Sequence, residues 1–136
     1  MLDFRAMDAE SPALKPLRQH YLFAGLAAED FYGLAEHLSL GRLERKEVLF
    51  HRGDPADAFF FVLAGQIELG FVAQNGEKKI LEVFGCGRTF AEAVTFMRRS
   101  VYPATAEAIT HAEVLRIPNG AYVELLRSDP DACIRL

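Results

Sequence analysis

Phe59-Phe60-Phe61-Val62-Leu63, Gly65, Ile67-Glu68-Leu69-Gly70-Phe71, Asn75-Gly76 and Lys79-Ile80-Leu81-Glu82-Val83-Phe84 read in order as strand, turn, strand, turn, strand. Aromatic and β-branched residues fill the strand-length runs, and glycines mark the places where the chain must reverse. Asn75-Gly76 between two such runs is the clearest hairpin signal in the chain. Val48-Leu49-Phe50 precedes this block, with Gly53-Asp54 after it as a turn. Thr105 to Ile109 and Glu113 to Ile117 follow as two further strands, and Gly85 with Gly87 separates the two groups.

Helical spacing appears only at the ends. Leu22, Phe23, Leu26, Phe31, Leu34 and Leu38 recur with a period near 3.6, and Glu29-Asp30 put negative charge where the first turn of a helix favours it. One short amphipathic helix over about residues 28 to 37 follows. After Pro118-Asn119-Gly120, residues Tyr122, Leu125 and Leu126 return to helical spacing up to Ser128-Asp129-Pro130. Residues 1–19, with Pro12 and Pro16, read as a loose N-terminal arm. Many short strands between small terminal helices predict a mainly β domain, a double-stranded β-helix or jelly roll with short flanking α-helices.

A chain of 136 residues, half of them apolar, supports one core. The formal charge of −4 argues against a DNA surface in these residues, since nonspecific DNA affinity comes from Lys and Arg against phosphate. Cys86 and Cys133 are the only cysteines and form no CxxC, so neither a disulfide scaffold, a zinc site nor an iron–sulfur cluster is suggested. No apolar run approaches the ~20 residues of a membrane-spanning helix, and a reducing cytoplasm is the expected compartment. His20, His37, His51 and His111 show no HxH or HExxH spacing, which counts against a cupin-like metalloenzyme, the alternative from another class. No nucleophile and base pair at a catalytic spacing, so the chain reads as a binding module and not as an enzyme.

One cassette adds to this. Gly87-Arg88-Thr89-Phe90-Ala91-Glu92-Ala93 is followed by Tyr102-Pro103-Ala104-Thr105-Ala106. Together with Gly53-Asp54-Pro55-Ala56-Asp57-Ala58-Phe59 and Gly65, it resembles the nucleotide-binding domain of the cyclic-AMP receptor and FNR family of bacterial regulators, over roughly residues 20 to 136. In that family the nucleotide-binding version reads Gly-Glu, then Arg-Ser-Ala or Arg-Thr-Ala about ten residues on. Here Ala91 stands for the Gly, Tyr102 for the Arg and Pro103 for the Ser, while the Glu that would hold a ribose hydroxyl survives as Glu92. A phosphate buried without its cation is costly, so no cyclic AMP is expected.

Glu77 to Val83, Phe90-Ala91-Glu92-Ala93, Phe96-Met97 and Tyr102-x-Ala104-Thr105-Ala106 most resemble the DNR-type regulators of denitrification. That resemblance implies an effector pocket from Leu81, Arg88, Thr89, Phe90, Ala91, Glu92, Phe96, Tyr102 and Thr105. It also implies haem and nitric oxide as effector chemistry, with His20 as the axial candidate because it stands just before the first family-like segment. Residues 20–128 would be the sensor roll, and residues 129–136 the start of a C-terminal helix through which such proteins form homodimers. Promoter DNA would be read by a helix-turn-helix domain outside these residues. A cyclic-nucleotide domain with an altered pocket is the alternative among binding modules, and a ligand-free roll used for protein interaction is a further one. For Glu92 a structural role weighs as much as ligand contact, for Arg88 a solvated loop charge is the commoner case, and the Phe residues suit a core as well as a flat apolar ligand.

Overall fold

The computed structural model describes residues 3–8, 10–93, 97 and 100–128. Nine strands and four helices run in the order β1 (Phe4–Ala6), α1 (Leu14–Gln19), α2 (Tyr21–Ala24), α3 (Ala28–Ala35), β2 (Ser39–Leu43), β3 (Val48–Phe50), β4 (Ala58–Ala64), β5 (Ile67–Val72), β6 (Lys78–Phe84), β7 (Thr89–Phe90), β8 (Thr105–Ala108), β9 (Ala112–Pro118) and α4 (Asn119–Ser128) among the described residues. They form a five-stranded sheet, β1-β2-β9-β4-β7, and a four-stranded sheet, β3-β8-β5-β6. Every pairing between these strands is antiparallel, and the architecture is the expected jelly roll.

The apolar run of β4 has a simple cause, since both of its faces are covered. Phe59 and Phe61 point into a cluster with Phe23, Phe31, Leu115 and Tyr122 under the helices. Ala58, Phe60 and Val62 point the other way, into a cluster with Phe50, Ile67, Phe84, Phe90 and Tyr102 between the sheets. The Tyr122 hydroxyl donates to the Leu22 carbonyl at 2.7 Å and so ties α4 to α2.

Two glycines are required where they stand. At Gly65 φ is +79°, and a Cβ would collide with the His111 carbonyl. At Gly70 a Cβ would lie 2.5 Å from the Lys79 carbonyl, because the β5–β6 pairing slips from Leu69 opposite Glu82 to Gly70 opposite Ile80 and leaves Leu81 as a bulge. The Asn75-Gly76 turn closes this hairpin with the Glu77 amide donating to Asn75 Oδ1 at 3.0 Å.

The N-terminal residues are more ordered than Pro12 and Pro16 suggest. β1 pairs with β2, and α1 buries Leu14 and Leu17. Pro16 lies in the first turn of α1, where the missing N–H has no intrahelical partner to lose. The expected C-terminal helix over 129–136 falls outside the described residues.

Candidate effector site

The loop after β7 builds the site. β7 is held against β4 through Phe60 opposite Phe90 and Phe61 opposite Thr89, which buries both β7 side chains. The chain then turns through Ala91 at φ +67° and enters a helical turn at Glu92-Ala93. A left-handed Ala costs roughly 1–2 kcal/mol, strain that the Gly which the sequence resemblance sets at this position would relieve.

This loop walls a cavity of about 290 Å³, lined among the described residues by Phe50, Leu69, Glu82, Phe84, Arg88, Ala91, Glu92, Ala93, Pro103 and Ala104. Its floor is apolar and aromatic. At its mouth Arg88 Nη2 donates to Glu82 Oε1 at 2.9 Å, and the guanidinium lies 4.8 Å from the centre of the Phe84 ring. The half-buried Glu92 carboxylate has no hydrogen bond or ion pair among the described residues. A larger hollow, about 560 Å³ between α3 and α4, contains none of the cassette residues.

Tyr102 is not at this cavity. It turns into the core, 3 % exposed, with its ring 3.7 Å from that of Phe50 and nearly parallel to it. Its hydroxyl donates to the Ala58 carbonyl at 2.7 Å, and burial pushes the phenol up to about 12. The position to which the sequence resemblance assigns the cation of cyclic-nucleotide binders holds a neutral core residue.

Of the other sequence candidates, Arg88, Ala91 and Glu92 meet at the cavity, while Thr89 and Phe90 support it from β7. Leu81 stands on the bulge, 60 % exposed, and is carried away from the pocket by it. Thr105 lies on the outer side of β8, where its Oγ1 accepts the Arg52 N–H at 2.9 Å. It borders a depression with Glu68, Lys78 and Glu107, in which Lys78 pairs with the buried Glu68. Phe96 falls outside the described residues. Phe50, Leu69, Glu82, Phe84, Ala93, Pro103 and Ala104 line the cavity beyond those candidates; for Leu69 and Glu82 alternation along β5 and β6 carries the signal, since the two are paired on one face.

His20 caps α2, with its Nδ1 accepting the Leu22 N–H at 3.2 Å, and packs edge-on to Phe61 at 5.8 Å. Phe61 faces the helix-side cluster, so His20 lies across the five-stranded sheet from the cavity. Burial lowers its pKa, which favours the neutral ring. With Nδ1 accepting, the proton is on Nε2, the wrong tautomer for metal ligation there unless the cap is broken. The residues present do not fit a haem in the cavity: no His, Cys, Met or Tyr lines it among the described residues, so none of them offers an axial donor there.

Residues 40–129 match the cyclic nucleotide-binding domain. The chain belongs to that family. The crystal structure of the sensor domain of the transcriptional regulator DNR from Pseudomonas aeruginosa superposes with a TM-score of 0.85 at 31 % identity, covering 89 % of this chain and 81 % of that one. The cAMP-activated global transcriptional regulator CRP of Haemophilus influenzae is 27 % identical over 95 residues, 70 % of this chain and 42 % of that protein. Neuropathy target esterase sws of Drosophila melanogaster is 28 % identical over 130 residues, 91 % of this chain and 9 % of that protein. The chain spans less than half the length of these last two. Members of the cyclic nucleotide-binding domain family thus occur within proteins of different activity, and among the described residues no helix is long and apolar enough to cross a membrane.

Proposed function

We propose that this chain is the effector-sensing domain of a CRP/FNR-type transcription regulator of the DNR kind, and that its effector enters the cavity walled by the 91–93 loop without a cyclic phosphate. The likeness to the DNR sensor domain supports the regulator, and the inward, hydrogen-bonded Tyr102 is the observation that carries the change of effector. A cyclic phosphate in this cavity would meet Arg88 already paired to Glu82, and the carboxylates of Glu82 and Glu92 beside it. Filling of the cavity would be felt by β6, β7 and the turn at residues 91–93, the elements that such a domain has available to bias a two-state partner.

A domain exchange tests this without knowing the effector. Residues 3–128 replace the sensor domain of Pseudomonas aeruginosa DNR, and promoter output is read with the cavity open and with it plugged by Ala93→Trp. Outputs that differ while protein levels match support the reading. Equal outputs across growth conditions would show that the cavity does not drive regulation.

A further inference from the structure

The chain carries the dipeptide Asn-Gly twice, as Asn75-Gly76 and Asn119-Gly120, and the fold sets the two in opposite surroundings. We infer that Asn75 is a site of spontaneous modification, cyclising onto the Gly76 amide to give aspartate and isoaspartate, while the fold protects Asn119 from the same reaction. In the first step the Gly76 nitrogen gives its proton to solvent hydroxide and attacks the side-chain carbonyl carbon of Asn75. The N–Cγ bond forms, the Cγ–Nδ2 bond breaks, and ammonia leaves with a proton taken from water. A second water opens the cyclic imide at either carbonyl, to aspartate or to isoaspartate. The reaction asks for a following residue without a shielding side chain, which Gly is, and for a backbone free to bring the two atoms together.

The β5–β6 turn meets the second condition. Asn75 and Gly76 are exposed, and a Cβ added at Gly76 would meet nothing within 4 Å. Ring closure has to break the bond from the Gly76 N–H to the Ala73 carbonyl at 2.9 Å and that from the Glu77 N–H to Asn75 Oδ1 at 3.0 Å. Both lie in an exposed loop, where local opening costs least. Asn119 is half-buried at the start of α4, its Nδ2 donating to the Ala56 carbonyl at 3.2 Å and its backbone N–H to the Asp57 carbonyl at 2.9 Å. Cyclisation there would take the amide from Ala56 and swing residue 119 out of a helix anchored by the buried Tyr122. Isoaspartate at position 75 routes the main chain through Cβ and lengthens a loop whose length sets the hairpin register. β6 lies at the end of its sheet, paired to β5, so the loosened hairpin carries with it Glu82 and Phe84 of the cavity wall.

The test holds the chain at mildly alkaline pH, folded in one sample and unfolded by guanidinium chloride in another. Mass spectrometry then follows the tryptic peptides Gly53–Lys78 and Ile117–Arg127, and an isoaspartyl methyltransferase marks isoaspartate. In the folded chain Asn75 is expected to convert roughly tenfold faster than Asn119 or more, and in guanidinium chloride the two rates converge. No conversion of Asn75 in the folded chain, or equal rates at the two sites, would overturn the proposal. So would a difference that persists unchanged in guanidinium chloride, since the fold would then not be its cause. Hydrogen exchange reads the consequence: the β6 amides should exchange faster in the isoaspartate fraction than in Asn75→Asp, which has the same charge without the longer main chain. Equal protection of β6 in the two would overturn the loosening of the hairpin.

Discussion

Replacing Tyr102 with Phe separates a core residue from a pocket residue. The ring keeps its place 3.7 Å from Phe50, and only the hydroxyl that donates to the Ala58 carbonyl is lost. β7 pairs with Phe60 and Phe61 alone, so its short ladder does not reach Ala58. A buried carbonyl left unpaired costs about 1–3 kcal/mol. We expect a loss of about 1.5 kcal/mol, or a fall in Tm of roughly 5–8 °C for a domain of this size. The pH dependence gives a second readout. Burial raises the Tyr102 phenol from 10.0 to about 12, so the folded state holds this proton more tightly than the unfolded chain. The stability that it contributes is complete below pH 10 and is lost as the pH rises to about 12. Two pKa units correspond to about 2–3 kcal/mol. Phe has no proton to lose, so the alkaline fall in stability should shrink by about that amount. Urea unfolding followed by far-ultraviolet circular dichroism serves as the assay, because the chain has no tryptophan. An unchanged midpoint at neutral pH together with an unchanged alkaline slope would place Tyr102 outside the core and refute the reasoning.

Ala91→Gly should stabilise the domain by about 0.5–1 kcal/mol in thermal unfolding, since relief of the left-handed Ala outweighs the added chain entropy of Gly; a destabilised variant would contradict the positive φ. Lys78→Met should cost about 2 kcal/mol, because the buried Glu68 loses the ammonium that covers it, and double substitution with Glu68→Gln should recover most of that loss. Stability should fall as the pH drops below the ordinary histidine value of 6.5, because His20 has a lowered folded-state pKa and serves α2 only while neutral; His20→Asn keeps a capping oxygen and should flatten that part of the profile. The chain alone should give no mobility shift on a palindromic promoter fragment even at low salt, in keeping with its net charge of −4.

The strands with aromatic or β-branched runs were legible because their apolar residues face covered surfaces, and β3, β4, β5, β6, β8 and β9 all fall where the sequence places them. β2 was not legible, since Ser39-Leu40-Gly41-Arg42-Leu43 carries a Gly in mid-strand. The reason lies far away in sequence: a Cβ at Gly41 would sit 2.5 Å from the Phe4 ring. β7 is two residues long, too short for any periodicity. At the site, the cassette marked Arg88, Ala91 and Glu92, but nothing local told that Tyr102 turns inward. That choice is made by Phe50 and by the Ala58 carbonyl, 52 and 44 residues distant. The Arg88–Glu82 pair was equally hidden, because the Gly85-Cys86-Gly87 turn must first fold β6 and β7 to bring them within reach.

Calorimetric titration with cyclic AMP tests the central claim most directly, with Haemophilus influenzae CRP measured alongside as the binding control. The family frame is present here, while Tyr102, where the sequence resemblance would set a phosphate-binding cation, is a core residue hydrogen-bonded to Ala58. Loss of a buried charge-assisted contact costs about 2–5 kcal/mol, or roughly 30-fold to several thousand-fold in affinity. The account predicts no saturable heat from this chain at concentrations that saturate the control. A micromolar dissociation constant with one site per chain would contradict it.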